Sequence, residues 1–254
     1  MAGGSHTSAG RRGRRSPPSS GPLNEARRGP ASSYVNPPGA SPSTHLTGLT
    51  DVQGTLFFTI TPTSGGSGAV LWRSTGTEAG TVQVRVFPAG VVAEGASVAV
   101  GNKFFFPLHD QGTGMVQLWV SDGTTSGTRF LEDFTPDLNG PSLHGATAIN
   151  GRLVFFHLTS SANTEPWSSD GTSADTVRVA NLTGVLALYF NQTLQVGNAL
   201  LFFQSQGGAT TLWRTDGTLA GTKVPQATGE SPSPTRGLPR SGGYSKPRKT
   251  GTGR

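Results

Sequence analysis

The chain of 254 residues contains no cysteine, so it can form neither a disulfide nor a thiolate metal site. Charged residues are also scarce, at 13% of the chain. No run reaches the roughly 18 apolar residues of a membrane-spanning helix. The first residues, MAGGSHTSAGRRGRRSPPSSG, lack the apolar segment of a secretory signal. We therefore expect no disulfide-stabilised fold, no membrane span and no export signal within this sequence.

The net charge of +6 is distributed unevenly along the chain. Residues 1–48 hold six arginines and one glutamate, and residues 228–254 hold six basic residues and one glutamate. The middle, residues 49–227, holds eight basic and twelve acidic residues, a net charge of −4. The basic character therefore belongs to the two ends, and the middle predicts no specific nucleic-acid partner.

Composition divides the chain into three segments. Residues 1–38 and 228–254 are rich in Gly, Pro, Ser and Arg and have too few apolar side chains to offset the entropy of ordering, which predicts disorder. Residues 39–227 contain an internal repeat and form the predicted domain.

The repeat has a period of about 47 residues, which is typical of propeller blades. The tryptophans that set the period are Trp72, Trp119, Trp167 and Trp213. Each unit begins with a β-prone run, which leads through a Gly/Asn/Gln turn into a strand with a Phe pair. The Trp strand comes next, and another β-prone run follows it. The pattern predicts an all-β, propeller-like array of four blades, each with four antiparallel strands, forming a complete ring or part of one.

The strings LWVSDGTTSGT, PWSSDGTSADT and LWRTDGTLAGT resemble the ELWxxDGT repeat of bacterial proteins, notably those of myxobacteria. LWRSTGTEAGT is a weaker copy. The resemblance covers roughly residues 40–227 and implies a propeller-like fold, an extracellular or cell-surface location and no particular reaction. The leading Glu of the motif survives only as Glu165, and Pro166 replaces the Leu, which predicts an exposed or bulged strand there.

The repeated Asp-Gly-Thr turn has a structural and a metal-binding interpretation. Its acidic members are Asp122, Asp170 and Asp216, and its first glycines are Gly76, Gly123, Gly171 and Gly217. An Asp at a turn can accept backbone hydrogen bonds, and Gly adopts positive φ without steric cost. Calcium is the alternative, but each turn offers one carboxylate and the first copy has Thr75 instead. The structural role is favoured, and no metal or cofactor is predicted.

The tryptophans and His109 are candidates for a binding or catalytic role, and each also has a structural interpretation. The tryptophans are predicted to pack between blades, although a sugar-stacking surface is the alternative. His109 beside Asp110 is interpreted as a loop residue, because neighbours in a strand point apart. No catalytic motif is present.

The leading prediction is therefore a module that is not an enzyme and that mediates surface interaction or scaffolding, with an unknown protein or carbohydrate partner. The alternative is a lectin or sialidase-like, glycan-acting propeller. A pocket where arginines and carboxylates from several blades converge would favour this alternative. A third hypothesis is binding of nucleic acid or an anionic surface by the basic ends.

Overall fold

A computed structural model describes residues 44–62, 68–136, 143–159, 163–180, 182, 193–206 and 209–225. In these residues the fold is all β, with sixteen strands, and no helix occurs among them. The strands form four antiparallel sheets that succeed one another along the chain, which confirms the predicted propeller-like array. The segments 1–38 and 228–254, predicted to be disordered, lie outside the described residues.

Each sheet is one blade, numbered in chain order. Blade 1 comprises β1 (Thr44–Val52), β2 (Thr55–Pro62), β3 (Val70–Ser74) and β4 (Val82–Val86). Blade 2 comprises β5 (Val91–Ala93), β6 (Val98–Val100), β7 (Lys103–Asp110), β8 (Met115–Ser121) and β9 (Arg129–Phe134). Blade 3 comprises β10 (Leu143–Ile149), β11 (Arg152–Leu158), β12 (Thr164–Ser169) and β13 (Val177–Arg178). Blade 4 comprises β14 (Leu194–Val196), β15 (Ala199–Gln206) and β16 (Ala209–Thr215).

Two blades depart from the predicted four strands. In blade 2 the first strand is divided into β5 and β6, which both pair with β7, and Gly95 between them has a φ of +71°. In blade 4 the fourth strand is a single bridge between Arg214 and Lys223. Pro225 follows two residues later and has no N–H to donate to the neighbouring strand, which explains why the ladder does not continue.

The first strands of blades 1 and 3 carry a bulge that the sequence interpretation missed. The β1–β2 register shifts between Thr47 and Thr50, around Gly48 with a φ of +69°. The β10–β11 register shifts at the corresponding place, around Gly145 with a φ of +59°. A glycine in a strand is the usual sign of such a bulge.

Successive blades pack face to face through apolar side chains. One face of each blade carries the repeat tryptophan, and we call it the Trp-bearing face. In blades 2, 3 and 4 this face packs on the opposite face of the preceding blade, in three core clusters. The aromatic pairs that cross these interfaces are Phe57–Phe104, Phe134–Trp167 and Phe156–Phe202, with centroids 5.1, 5.0 and 5.0 Å apart. Burial between blades therefore holds the array together.

Pro166 does not lie in a bulged or exposed strand, so that prediction was wrong. It is buried, and β12 pairs with β11 without a register shift. Only Trp167 and Ser168 pair with β13, so the missing N–H of Pro166 lies beyond that short ladder. The Pro166 carbonyl still accepts the Val179 N–H at 2.8 Å.

Candidate functional site at the first blade interface

The Asp-Gly-Thr turn is organised by its aspartate. Asp122 Oδ1 accepts hydrogen bonds from the Thr124 N–H at 2.9 Å and the Thr124 hydroxyl at 2.7 Å. The same two bonds link Asp170 to Thr172 and Asp216 to Thr218. We call Asp122, Asp170 and Asp216 the turn aspartates.

These hydrogen bonds favour the charged form of the turn aspartates. The Thr124 hydroxyl has the largest effect on Asp122 and lowers its pKa, and the Thr218 hydroxyl does the same for Asp216. For Asp170 the largest single effect is partial burial, which opposes ionisation. The hydrogen bonds from Thr172, together with the charge of Arg152 and a hydrogen bond with Asp175, outweigh it, and the pKa is lowered there too. A general acid needs a raised pKa, so none of the three is suited to donate a proton at neutral pH.

A second feature of the turn, a pair of hydroxyl side chains, was missed in the sequence. The Ser121 and Thr128 hydroxyls are buried 2.8 Å apart, and Ser121 Oγ accepts the Gly123 N–H. The equivalent pairs are Ser74–Thr81, Ser169–Thr176 and Thr215–Thr222. The sequence does carry a pattern that predicts this pair. A Ser or Thr lies two residues after the Trp in every copy, and a Thr follows seven residues later.

The first glycine of each turn has positive φ, and in blades 2, 3 and 4 it lies at the interface with the preceding blade. The values for Gly76, Gly123, Gly171 and Gly217 are +84°, +89°, +95° and +88°. A Cβ on Gly123 would lie 3.0 Å from Arg73 Cδ and from Phe57 Cζ of blade 1. Gly171 and Gly217 meet side chains of the preceding blade in the same way, at 3.0 and 3.3 Å. For Gly76 no described atom lies within 4 Å of that position, because no described blade precedes it.

At the second and third interfaces a long basic side chain lies beside the turn glycine of the following blade. Lys103, the first residue of β7, donates to the Asp170 carbonyl of blade 3. Arg152, at the same position of β11, donates from Nε to Ser168 Oγ at 2.8 Å. Its Nη2 donates to the Asp175 carbonyl at 2.9 Å, within its own blade, and its Cδ lies against Gly217 of blade 4. These side chains fill the space beside the turn glycines.

The first interface is built differently. Thr55 occupies the position of Lys103 and Arg152, and its side chain is too short to fill the space beside the turn glycine of the next blade. The basic residue comes from β3 instead, as Arg73. Arg73 Nε is buried without a hydrogen-bond partner in the described part of the chain. A buried N–H without a partner is costly, so Arg73 Nε is an unfavourable feature of this interface.

With the short Thr55 at this position, a polar pocket of about 190 Å³ lies between blades 1 and 2. Its lining residues are Val52, Gln53, Thr55, Phe57, Arg73, Asn102 and Asp122. Blade 1 contributes the arginine and blade 2 contributes the aspartate. At the third interface the side chain equivalent to Gln53, Asn150, instead donates to the Asn198 and Asp216 carbonyls at 2.9 and 3.0 Å.

The repeat tryptophans are not brought to one surface. Trp72 is buried, and Trp119, Trp167 and Trp213 are partly buried within the interblade clusters. The residue two positions before Trp accepts the indole N–H in two copies. Gln117 Oε1 lies 3.1 Å from Trp119 Nε1, and Glu165 Oε2 lies 3.3 Å from Trp167 Nε1. Among the described residues Thr211 makes no such contact, and Trp213 Nε1 is buried there without a hydrogen-bond partner.

Glu165 is the centre of a small polar network in blade 3. Its carboxylate accepts from Arg178, and His157 Nδ1 lies 3.4 Å from it. Partial burial is the largest effect on Glu165 and would raise its pKa. Hydrogen bonds from Arg178, Trp167 and His157 together outweigh burial and lower the pKa. His157 Nε2 lies 3.0 Å from the Thr135 carbonyl. Within the described residues the His157 ring thus contacts Glu165 and Thr135, and it also packs against Phe134.

His109 and Asp110 do not form an acid–base pair. His109 lies within β7, not in a loop as we expected, and its Nδ1 is 3.4 Å from Glu94 Oε2. Asp110 Oδ1 accepts the Gly112 N–H at 2.9 Å. In the described residues no three His, Asp or Glu side chains are grouped to hold a metal ion. The described part of the chain also contains no helix long and apolar enough to cross a membrane.

Comparison with solved structures finds similar folds at low identity. An exo-β-1,3-galactanase from Phanerochaete chrysosporium shares 11% identity and a TM-score of 0.37, over 70% of this chain and 49% of that one. A family 117 glycoside hydrolase from Zobellia galactanivorans shares 9% identity and a TM-score of 0.34, over 72% and 69% of the two chains. A prolyl endopeptidase shares 18% identity and a TM-score of 0.41, over 73% of this chain and 27% of that one. No family model and no curated protein matches.

The chain spans about half the length of the galactanases that it matches. Identities of this size show a shared fold alone. Because glycoside hydrolases recur among these propellers, the prediction that the chain is not an enzyme is contradicted, and we withdraw it. That prediction relied on the absence of a contiguous catalytic motif, whereas sites on a propeller are assembled from residues of different blades that lie far apart in sequence.

Proposed function

We propose that the chain is a glycan-acting propeller that holds one sugar unit in the pocket between blades 1 and 2. The observation that supports the proposal is the meeting of Arg73 from blade 1 and Asp122 from blade 2 across an open polar pocket. The arrangement that favours the glycan hypothesis over the scaffolding hypothesis is a pocket where arginines and carboxylates from several blades converge, and this pocket brings together one of each from two blades.

The chemistry of the lining suits a polyhydroxyl ligand. A sugar hydroxyl both donates and accepts hydrogen bonds, so its site needs groups of both kinds. Arg73 supplies donors, Asp122 supplies acceptors, and the side-chain amides of Gln53 and Asn102 supply both. The pocket is smaller than the roughly 300–1,000 Å³ of sites for drug-sized ligands, which favours a single sugar ring.

The pocket accounts for sugar recognition and not for bond cleavage. Glycoside hydrolysis uses two carboxyl groups on either side of the scissile bond. Asp122 is the one carboxylate among the lining residues, and its lowered pKa does not suit a general acid. We therefore assign the pocket the role of a subsite that positions a glycan.

Titration calorimetry tests this assignment. The probes are neutral oligosaccharides of galactose, arabinose, glucose and mannose, added to the full chain, with release of reducing sugar measured in parallel. We expect at least one of them to bind, and Asp122→Ala and Arg73→Gln each to weaken that binding at least tenfold.

Asp170→Ala is the matched control for the binding experiment. It removes the same two turn hydrogen bonds in blade 3 but does not touch the pocket. It should therefore lower stability as Asp122→Ala does and leave sugar affinity unchanged. Equal loss of binding in both variants, or no binding of any probe to the wild type, would refute the pocket assignment.

We also propose, from the motif resemblance, that the chain belongs to the ELWxxDGT-repeat proteins and acts outside the cell or at its surface. The repeated strings and their turn geometry support this proposal. Fractionation of the source cells with an antibody to residues 44–225 tests the location, and a purely cytoplasmic signal would contradict it.

A further inference from the structure

The second and third blade interfaces supply a nitrogen donor to the backbone carbonyl of a turn aspartate. At the third interface the Asn150 amide nitrogen donates to the Asn198 carbonyl at 2.9 Å and to the Asp216 carbonyl at 3.0 Å. We call these two hydrogen bonds the amide clamp, because they join blade 3 to blade 4. At the second interface Lys103 Nζ donates to the Asp170 carbonyl. Each of these carbonyls therefore has a partner within the protein.

The equivalent groups at the first interface surround the pocket without joining the two blades. Gln53, Asn102 and Asp122 occupy the three positions of the amide clamp, in that order, and all of them line the pocket. Among the described residues no hydrogen bond to the Asn102 or Asp122 carbonyl is found. The first interface therefore has the two acceptors of a clamp and lacks its donor.

Gln53 adopts a backbone conformation that suits Asn better than Gln. Its φ is +52° and that of Asn150 is +50°, and these are the two non-Gly residues with positive φ in the described part of the chain. Asn and Gly are favoured at such turn positions, whereas Gln enters the left-handed region less readily. The Gln53 side chain is thus held at a conformational cost, and it faces a pocket instead of clamping blade 2.

We propose that Gln53 keeps the pocket open and that a bound glycan takes the place of the amide clamp, with two hydroxyl groups donating to the Asn102 and Asp122 carbonyls. This role depends on the proposed glycan function and specifies the sugar groups that the pocket recognises. At the third interface one NH2 group satisfies both carbonyls, so a ligand of the first interface needs two donors close together. Neighbouring hydroxyls of a sugar ring provide them.

A glycan bound in this way connects the two blades, as Asn150 does at the third interface. The two carbonyls belong to blade 2, and Gln53 lies on blade 1 across the same pocket. Because the ligand binds the folded chain and not the unfolded one, it should raise the Tm of the wild type. Gln53 is then the residue that decides whether the interface accepts a ligand or closes on itself.

Gln53→Asn in the full chain tests the exchange of the pocket for a clamp. The shorter amide tolerates positive φ and can donate to both carbonyls, so without sugar the variant should melt roughly 2–4 °C above the wild type. Calorimetry with neutral oligosaccharides of galactose, arabinose, glucose and mannose should show roughly tenfold weaker binding, because the clamp occupies the acceptors. Gln53→Gly removes the side chain and leaves the carbonyls uncovered, so its affinity should lie between the two.

Asn150→Gln is the matched control, because it makes the reverse exchange at the third interface. It should lose the amide clamp and melt below the wild type, with unchanged sugar affinity. A Gln53→Asn variant that melts no higher than the wild type, or that binds the sugars as tightly, would overturn the role of Gln53 and leave the glycan pocket in place. Weaker binding by Gln53→Gly than by Gln53→Asn would overturn it too. If no oligosaccharide binds to the wild type, the proposed function fails and this role fails with it.

Discussion

Replacing Asp122 by alanine tests whether the repeated aspartate organises its turn. The change removes the acceptor of two hydrogen bonds, from the Thr124 N–H at 2.9 Å and the Thr124 hydroxyl at 2.7 Å. Helix caps with the same geometry contribute about 0.5–2 kcal/mol. Thr124 is exposed and water can replace the lost acceptor, so we expect a cost of about 1 kcal/mol in the free energy of unfolding. For a domain of this size that cost corresponds to a fall of roughly 2–4 °C in Tm.

Thermal melts without added sugar, followed by circular dichroism, measure this effect. Asp122→Asn should recover most of the loss, because its side-chain oxygen accepts the same bonds. A metal chelator should leave the wild type unchanged, since each turn presents one carboxylate and the first copy has Thr75. A chelator-induced fall in the Tm of the wild type that is absent in Asp122→Ala would refute the structural explanation and favour calcium.

Three further perturbations follow from the geometry. Gly123→Ala and Gly76→Ala both place a side chain at positive φ, at a cost of about 1–2 kcal/mol. Gly123→Ala should lower the Tm more than Gly76→Ala does, because its Cβ also meets side chains of blade 1. Equal losses of stability in the two variants, measured by urea or thermal unfolding, would contradict the interface contact. Thr211→Gln should stabilise the fold by about 0.5–1.5 kcal/mol, because the glutamine side chain can accept a hydrogen bond from the buried indole N–H of Trp213. Unchanged or lower stability of this variant would argue against that hydrogen bond. The pKa of each turn aspartate is lowered on folding from 3.8, so their stabilisation is complete above that pH and is lost as the pH falls through the folded pKa values. Melts between pH 5 and pH 2 (a range of roughly three units around these pKa values) should show a smaller decline for the triple Asn variant than for the wild type.

Local patterns in the sequence predicted the blades well, because blade structure depends on short-range chemistry. The Trp period, the turns before the Phe strands and the Asp-Gly-Thr turns all lie within about 50 residues of one another and repeat. The bulges at Gly48 and Gly145 could not be separated from ordinary turn glycines, because a bulge is defined by the register of the partner strand. Pro166 was misjudged for the same reason, since its cost depends on how far β13 pairs with β12.

The candidate site could be predicted in part only. The sequence identified Asp122 as a member of a turn, and no local pattern indicated that it would line a pocket with Gln53 and Arg73. One difference between the copies does point to this interface. The Phe strand begins with Thr55 in the first copy and with the long basic residues Lys103 and Arg152 in the second and third. Its meaning depends on the space between two blades, which the structure supplies.

The sequence by itself determined the all-β class, the length of the repeat and the chemistry of its turns. These properties follow from residues that are close in the chain, where Gly, Asp and Thr set the backbone conformation and alternating apolar residues set the faces of each strand. Only the tertiary structure decided which faces are buried, where Arg73 and Asp122 meet and which end of the array stays exposed. Those properties depend on packing between blades, where side chains some 50 residues apart fill the interface or leave it open.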